Sequence, residues 1–291
     1  MIQEARSAPG RASTDFERAG VTAPSARAYR PDVILAALLL QAIGAPAVET
    51  SRLHAPEARQ GVAAAGRFVY AIDNKAIGKY DVATGKRVAR WRGDPRRFRH
   101  LNSCTLVGRT LVCAGSNYPD VPMSSTVETF DAQTLRHMST RDLGRGHGSL
   151  TWLGLHGGSW WACFANYDGK GGEPGRDHRS TMLVRYSPDF VEQGAWLFPE
   201  EVLRRMAPRS SSGGAWNADG LLYVTGHDAP ELYALRLPRD GTRLELVAIV
   251  PTVTGGQAID WDPKAPRTLW SIDRRTSEIV ASRIPAVHPR P

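Results

Sequence analysis

Short apolar stretches alternate with polar turns along most of the chain, and this alternation repeats. In each repeat a small or polar start leads into a short apolar strand, and a turn on Gly, Pro or Asp separates it from a second, strongly apolar strand. A polar pair then precedes a third strand in which apolar and polar positions alternate. The second strands read RFVYAI, TLVCAG, SWWACFA, LLYVTG and TLWSI. Short runs of this kind between turn residues predict an all-β protein.

The repeats begin near residues 60, 102, 148, 213 and 257. Units of about 40–50 residues with four strands each are typical of β-propeller blades. The fifth repeat stops after its third strand, and residues 49–56 (ETSRLHAP) offer a strand that completes this blade. The sequence therefore predicts a five-bladed β-propeller over residues 49–285, closed by an N-terminal strand and followed by a short tail at 286–291.

The third unit is longer than the others because it carries two insertions. One is YDGKGGEPGRDHRS, between its second and third strands, and the other is FPEEVLRRMAP, before the next unit. The Gly-rich part of the first insertion, residues 168–177, lacks the regular acidic spacing of an EF-hand loop. We expect a lid or pocket wall there, and a short helix in the second insertion.

The N-terminal residues differ from the repeats. Residues 1–32 are rich in Ala, Arg, Ser and Pro without hydrophobic periodicity, which predicts a disordered leader. Residues 33–48 form an uncharged run, VILAALLLQAIGAPAV, that is shorter than the ~20 apolar residues of a membrane-spanning helix. The run suits the core of a signal peptide, and the small-x-small pattern at 45–47 suits a cleavage site. The alternatives are a buried helix or an uncleaved anchor.

From this pattern we expect a protein that is secreted or placed in the periplasm or cell envelope, with no membrane span after processing. The formal net charge is +8, and the densest basic run is Arg96-Arg97-Phe98-Arg99. Such diffuse charge does not predict specific nucleic-acid binding. We expect a monomer.

Three cysteines, Cys104, Cys113 and Cys163, leave two interpretations open. A turn at Gly108-Arg109 would place Cys104 directly opposite Cys113 on adjacent strands, but disulfides in that position tend to be strained. No Cys/His spacing indicates structural zinc. We expect three small apolar core residues.

In a propeller blade the start of the first strand and the end of the second strand lie on the same face. Polar side chains concentrate at these positions, and we expect them to surround a shared pocket. The candidate substrate-binding residues are Gln60, Asn102, Asn117, Tyr118, Asn166, Tyr167, Asp168, Asp228 and Gln257. The candidate catalytic residues are His100, His147 and His227, which come from three different blades.

The same three histidines are candidate metal ligands, with Asp168 or Asp228 as a carboxylate ligand. Because imidazole titrates near neutral pH, they could equally act as acid/base groups. The Asn and Asp oxygens on this face suggest calcium as a second possible divalent metal. In the simplest alternative, each histidine only caps a strand or bonds a neighbouring loop.

The stretches IGKYDVATGKRV and LYVTGHDAPELYALRL resemble strand units of secreted bacterial propellers of the broad YVTN/lactonase-like group. HLNSC, SNYPDVP, GSLTW and GQAIDWD resemble exported members of that group that are labelled cycloisomerases. The resemblance covers residues 55–285 and implies lactone hydrolysis or the cyclisation of small carboxylated substrates. Such relatives usually have seven blades, so no catalytic residue is carried over.

Two classes of function remain. The first is a hydrolase or cyclase/lyase that acts on a small polar substrate, a lactone or a saccharide. The second is a non-catalytic propeller that uses the same face to bind a glycan, a peptide or an envelope partner. A propeller fold accommodates both classes, so the fold alone does not decide between them.

Overall fold

The computed structural model describes residues 44–287, which form five four-stranded antiparallel sheets. The innermost strands of the five sheets are neighbours around one axis, and together the sheets form a closed ring. The predicted five-bladed β-propeller is therefore confirmed. Each blade presents its first strand to the central channel.

The strands of the first four blades follow one another in chain order. Blade I contains β2 (Gly61–Ala65), β3 (Phe68–Asp73), β4 (Ala76–Asp81) and β5 (Arg87–Arg92). Blade II contains β6 (His100–Val107), β7 (Thr110–Ser116), β8 (Ser124–Asp131) and β9 (His137–Arg145). Blade III contains β10 (Ser149–His156), β11 (Ser159–Ala165), β12 (Met182–Tyr186) and β13 (Glu192–Leu197). Blade IV contains β14 (Gly213–Trp216), β15 (Leu222–Thr225), β16 (Glu231–Arg236) and β17 (Glu245–Pro251).

Blade V joins the two ends of the propeller. It contains β18 (Asp260–Trp261), β19 (Thr268–Asp273), β20 (Glu278–Arg283) and, as its outer strand, β1 (Val48–His54). β1 pairs antiparallel with β20, which is the closure predicted from residues 49–56. Because β1 pairs with β20, blade V has four strands like the other blades, and the edge of β20 is not left unpaired.

Residues 44–47 continue from β1 along the outer strand of blade IV. The amide of Gly44 donates to the carbonyl of Ile249 at 2.7 Å, and the amide of Ala47 donates to the carbonyl of Pro251 at 2.8 Å. These four residues belong to the predicted signal-peptide segment. Residues 33–43 of that segment, the predicted leader at 1–32 and residues 288–291 of the tail lie outside the described residues.

The hydrophobic core consists of apolar layers between neighbouring blades. Trp152 and Trp161 of blade III pack with Tyr233 and Leu235 of blade IV in one such layer. The second strand of each repeat is strongly apolar because both of its faces lie against a neighbouring blade.

Cys104 lies opposite Cys113, as the predicted turn requires, and the two form a disulfide. The expectation of three unbonded core cysteines is therefore wrong for this pair. Cys163 is a free, buried thiol.

The two insertions of the third unit are both ordered elements of the fold. The first contains a single 3₁₀ turn at His178–Ser180, and the second contains the predicted helix, α1 (Glu200–Met206), which buries Val202, Leu203 and Met206. Within residues 44–287, helices are too short and too polar to cross a bilayer.

Candidate functional site

The central channel opens on one face of the propeller into a cavity of about 470 Å³, which we call the axial cavity. All five blades, or the segments that lead into them, contribute to its wall. The starts of first strands supply Gln60, His100, Asn102, Thr151, Ser212 and Gln257. The loops that follow second strands supply Asn74, Lys75, Tyr118, Tyr167, His227 and Arg274.

The axial cavity is strongly cationic. Lys75 and Arg274 reach it from the loops after β3 and β19, Arg209 reaches it from the segment between α1 and β14, and Arg99 lies at its rim. None of the described residues that line the cavity is acidic. Arg99 is bonded to Asp120 at 2.8 Å, so the charge in the interior comes from the other three side chains.

Within the described part of the chain, the side chain of Arg274 is bonded to a histidine and not to a carboxylate. Its Nη1 donates to Nε2 of His227 at 2.9 Å, while Nδ1 of His227 lies 2.6 Å from a carboxylate oxygen of Asp228. Because the guanidinium can only donate, His227 has its proton on Nδ1 and accepts through Nε2. Burial lowers the pKa of His227, and the nearby Arg274 and Arg209 lower it further, while Asp228 acts in the opposite direction.

The guanidinium of Arg274 lies in an unfavourable electrostatic environment. Burial lowers its pKa, and the positive charges of Arg59 and Arg209 lower it further. Asp228 partly offsets these effects. Arginine nevertheless stays protonated at neutral pH, so the protein keeps several positive charges close together around the cavity.

His100 presents a neutral imidazole to the same cavity. Burial lowers its pKa to about 4, and the charge of Arg274 acts in the same direction, while a hydrogen bond with Asn102 acts against these effects. Its ring lies 5.1 Å from the ring of Tyr118. At neutral pH this imidazole can therefore accept a proton or a hydrogen bond.

Tyrosines form the wall between the cavity and the first insertion. The rings of Tyr118 and Tyr167 contact each other edge to face at 5.1 Å, and Nη1 of Arg209 lies 3.5 Å from the hydroxyl of Tyr118. Gly171 of the insertion packs directly against the ring of Tyr118. The insertion thus supports the cavity wall from outside.

The amide side chains at the starts of first strands mainly join the blades together. Nδ2 of Asn102 donates to the carbonyl of Leu150 at 2.7 Å, and Nε2 of Gln257 donates to the carbonyl of His227 at 3.1 Å. Both amide groups are buried, so these bonds fix their orientation. Asn102 also forms a hydrogen bond with His100, so it is less available to a ligand than Gln257 or Gln60.

Several predicted site residues lie away from the axial cavity. Asn117 bonds within its own loop, to Ser124 and Pro122, and buried Asn166 donates to the backbone carbonyls of His147 and Ser180. Asp168 binds the ring of His178 at 2.8 Å. Asp228 faces an adjoining groove, which is described below.

The structure does not bring the three candidate metal-binding histidines together. His100 and His227 line the axial cavity, but Nε2 of His147 pairs with Glu192 on β13 at 3.0 Å. His227 is a poor ligand because Asp228 and the cation of Arg274 occupy its two ring nitrogens. These residues do not fit the predicted transition-metal site.

Within residues 44–287, the one cluster of three potential ligands comprises Asp168, Asp177 and His178 in the first insertion. Asp168 holds His178, and Asp177 caps the 3₁₀ turn by accepting from the amide of Arg179. These hydrogen bonds within the insertion explain why the three side chains lie close together without a metal ion. The oxygen ligands predicted for calcium are likewise dispersed among separate loops.

The cationic residues of the cavity were missed from the sequence because its positive charge was interpreted as diffuse. Lys75 and Arg274 lie one or two residues beyond the ends of the second strands β3 and β19, which end at Asp73 and Asp273. The ends of second strands were expected on the pocket face, so both cations lie just beyond positions that the sequence pattern indicates. Arg209 had no such signal, because it precedes a first strand within an insertion of irregular structure.

Comparisons with known proteins assign no family to the chain. No family model and no curated protein matches the chain. Similar solved structures include a mitotic checkpoint complex at 10% identity, with a TM-score of 0.43 and coverage of 94% of this chain and 99% of that chain. They also include Kuenenia stuttgartiensis hydrazine synthase at 13% identity, with a TM-score of 0.47 and coverage of 78% and 83%. A third is the Cps50 (Swd1) β-propeller domain of Myceliophteria thermophila, at 14% identity, with a TM-score of 0.37 and coverage of 77% and 83%.

These likenesses are too distant to assign activity. The sheet order and the site define the class of protein: a five-bladed β-propeller with a cationic axial cavity. The resemblance to the YVTN/lactonase-like group stays a prediction.

Proposed function

We propose that this propeller binds a small anionic molecule, bearing a carboxylate or a phosphate, in the axial cavity. The observation that carries the proposal is the group formed by Lys75, Arg209 and Arg274, with no acidic residue among the described residues that line the cavity. Such an array is the chemistry that proteins use to hold carboxylates and phosphates.

The position of Arg274 supports this proposal. Its hydrogen-bond partner is neutral His227, and no described carboxylate lies within 4.0 Å of it as an ion-pair partner. Half-buried like charges repel one another when no counter-charge is present. A bound anion would relieve this repulsion and accept hydrogen bonds from the guanidinium.

Titration calorimetry of the folded chain tests the proposal. Gluconate and inorganic phosphate serve as anionic probes, and glucose serves as the matched neutral probe. We expect at least one anion to bind, glucose to bind at least tenfold more weakly than gluconate, and Arg274→Met to weaken anion binding at least tenfold.

Arg96→Gln is the matched control, because it removes a cation whose side chain is 92% exposed, pairs with Asp94 and lies outside the cavity. We expect this variant to bind like the parent protein. Failure of both anions to bind would contradict the proposed function, as would equal losses in the two variants.

Hydrolase or cyclase/lyase activity on a lactone is the second candidate function. The neutral imidazole of His100 favours it, since a general base must be unprotonated at working pH. Hydrolysis of an aldonolactone would produce an aldonate anion that suits the cationic cavity. The test is proton release from D-gluconolactone above the uncatalysed rate, with loss of that excess in His100→Gln.

We also propose that the protein is exported. The signal-peptide pattern at 33–48 supports this, and so does the Cys104–Cys113 disulfide, because disulfides persist mainly in oxidising compartments. Fractionation of cells producing the full chain, with N-terminal sequencing of the product, tests export and locates any cleavage site.

A further inference from the structure

The axial cavity adjoins a second concavity of about 750 Å³ between blades IV and V, which we call the radial groove. His227 and Arg274 line both spaces, so the two meet at this pair. The walls of the radial groove come from the loops at 227–230 and 252–256, from the end of β19 with the residues that follow it (272–275), and from Arg59. A ligand that extends past this pair would occupy both spaces.

The two spaces differ in charge. Among the described residues, the axial cavity is lined by cations without acids, whereas the radial groove combines Arg59 and Arg275 with Asp228 and Asp273. Paired donors and acceptors of this kind suit a neutral molecule with many hydroxyl groups. An anionic group would be favoured only at the inner end, where the carboxylates are absent.

The groove offers little that would recognise peptide side chains. Its apolar contribution is limited to Pro230, Val253 and Ile272. Ligand pockets for apolar groups are normally lined predominantly by hydrophobic and aromatic side chains. Tyr118 lines the axial cavity, so an aromatic side chain lies at the inner end of the path.

Close backbone packing builds one wall of the groove. A Cβ atom at Gly256 would collide with the carbonyl oxygen of Gly226, and one at Gly255 would lie 2.9 Å from the carbonyl oxygen of Asp228. The 252–256 loop can therefore approach the 226–228 loop only because both positions are glycine. This contact fixes the wall beside His227 before any ligand binds.

We propose that the occupant is an oligosaccharide ending in an acidic sugar, with its acid group in the axial cavity and its neutral sugars in the radial groove. This inference rests on the proposed function, because it assigns the anion-binding role to the same cavity. It adds the class of ligand and the direction in which the oligosaccharide lies, from the axial cavity outward.

Titration calorimetry with a series of matched ligands tests the inference. The acids are gluconate, maltobionate, maltotrionate and cellobionate, and the neutral partners are glucose, maltose, maltotriose and cellobiose. We expect at least one disaccharide acid to bind about tenfold more tightly than gluconate, and the neutral sugars to bind far more weakly than their acids.

The outcomes separate the two proposals. If no anion binds, the proposed function fails and the inference fails with it. If gluconate binds and no longer acid binds more tightly, the oligosaccharide inference is overturned while the proposed function stands. If trialanine gains as much affinity over alanine as the disaccharide acids gain over gluconate, the occupant is a peptide and the inference is also overturned.

Two variants locate the effect. Val253→Trp places a bulky ring in the groove, at a residue that is 41% exposed, and should reduce the affinity of the disaccharide acid to about that of gluconate. Arg96→Gln should still bind the disaccharide acid about tenfold more tightly than gluconate. If Val253→Trp has unchanged circular dichroism and still binds the disaccharide acid more tightly than gluconate, the added sugar lies outside the groove.

Discussion

Nη1 of Arg274 donates to Nε2 of His227 across 2.9 Å, joining the second-strand loops of blades V and IV at the edge of the axial cavity. Asp228 holds the other ring nitrogen of His227. The three side chains form a line in which each orients the next, and the exposed part of Arg274 remains available to a ligand. Propellers assemble sites in this way because loops that are distant in sequence converge at the channel.

Removal of the imidazole should therefore release Arg274 and weaken anion binding. We expect His227→Ala to reduce the affinity for gluconate about tenfold, the typical cost of losing one hydrogen bond to a charged group. His147→Ala is the matched control, because His147 pairs with Glu192 outside the cavity. Calorimetry should show less than a twofold change in the control, and equal losses would show that His227 has no special role.

The lowered pKa of His100 predicts a dependence of stability on pH. Burial brings this pKa to about 4 in the folded protein, below the ordinary value of 6.5, so the unfolded chain binds a proton at higher pH than the folded chain does. The contribution to stability is fully present above about pH 6.5 and is lost as the pH falls toward 4. Urea unfolding at a series of pH values should show a smaller loss over this range in His100→Gln. An unchanged profile would contradict a buried, neutral His100.

The same imidazole should make anion binding stronger in acid. Protonation of His100 adds a positive charge to the cavity, and a bound anion favours that protonated form. Sulfate is the suitable probe because its charge stays constant between pH 4 and 8. We expect its affinity to increase as the pH falls through this range and to increase less in His100→Gln. A pH-independent affinity would exclude coupling between His100 and the anion.

Much of the fold could be predicted from the sequence because its period and its turns are local features. The apolar strand LLYVTG, followed by Gly226-His227-Asp228, correctly placed His227 at a strand end on the pocket face. The closing strand was also predictable, since the fifth repeat lacks its fourth strand and residues 49–56 supply it.

The charge of the site could not be predicted in the same way. Whether Lys75 and Arg274 point inward depends on loop conformation beyond the last strand residue, where period-two alternation no longer applies. Disulfide formation between Cys104 and Cys113 depends on side-chain distances that register alone does not give. His147 was expected on the pocket face because it lies just before a first strand. Its ring instead pairs with Glu192 on the outer strand β13, a contact that the sequence pattern does not predict.

Glu57 lies in the connection between β1 and β2 and should be important for stability. Its carboxylate is buried and binds the hydroxyl of Tyr80 at 2.5 Å, Arg87 at 2.9 Å and Arg90 at 2.8 Å. Glu57→Ala leaves these partners without their acceptor and should lower the free energy of unfolding by about 3 kcal/mol. Chemical denaturation measures this loss.

An exposed ion pair provides the comparison. Glu245 pairs with Arg236 at 2.7 Å, but both side chains are more than 40% exposed. We expect Glu245→Ala to change the free energy of unfolding by less than about 1 kcal/mol. A cost for Glu57→Ala no larger than this would show that the connection is not anchored through Glu57.

The Cys104–Cys113 disulfide should stabilise the protein by restricting the unfolded chain. The two cysteines are nine residues apart, and a loop of this length corresponds to about 2 to 3 kcal/mol in the chain-entropy model. The double variant Cys104→Ala, Cys113→Ala should unfold at lower denaturant concentration by about this amount, and reducing agent should have no further effect on it. Cys163→Ala controls for the loss of a buried sulfur. Equal stability of the oxidised and reduced parent protein would contradict the prediction.

Closure of the ring predicts that truncations before and after β1 differ in their effect. A chain beginning at Val48 loses the bonds that Gly44 and Ala47 make to blade IV and should be about 1 to 2 kcal/mol less stable than a chain beginning at Gly44. A chain beginning at Ala55 lacks β1 altogether and leaves the edge of β20 unpaired. Because an exposed strand edge is a template for association, this chain should aggregate or self-associate. Size-exclusion chromatography and thermal unfolding of the three chains check both expectations, and a monomeric chain without β1 that unfolds at an unchanged temperature would show that β1 does not stabilise the ring.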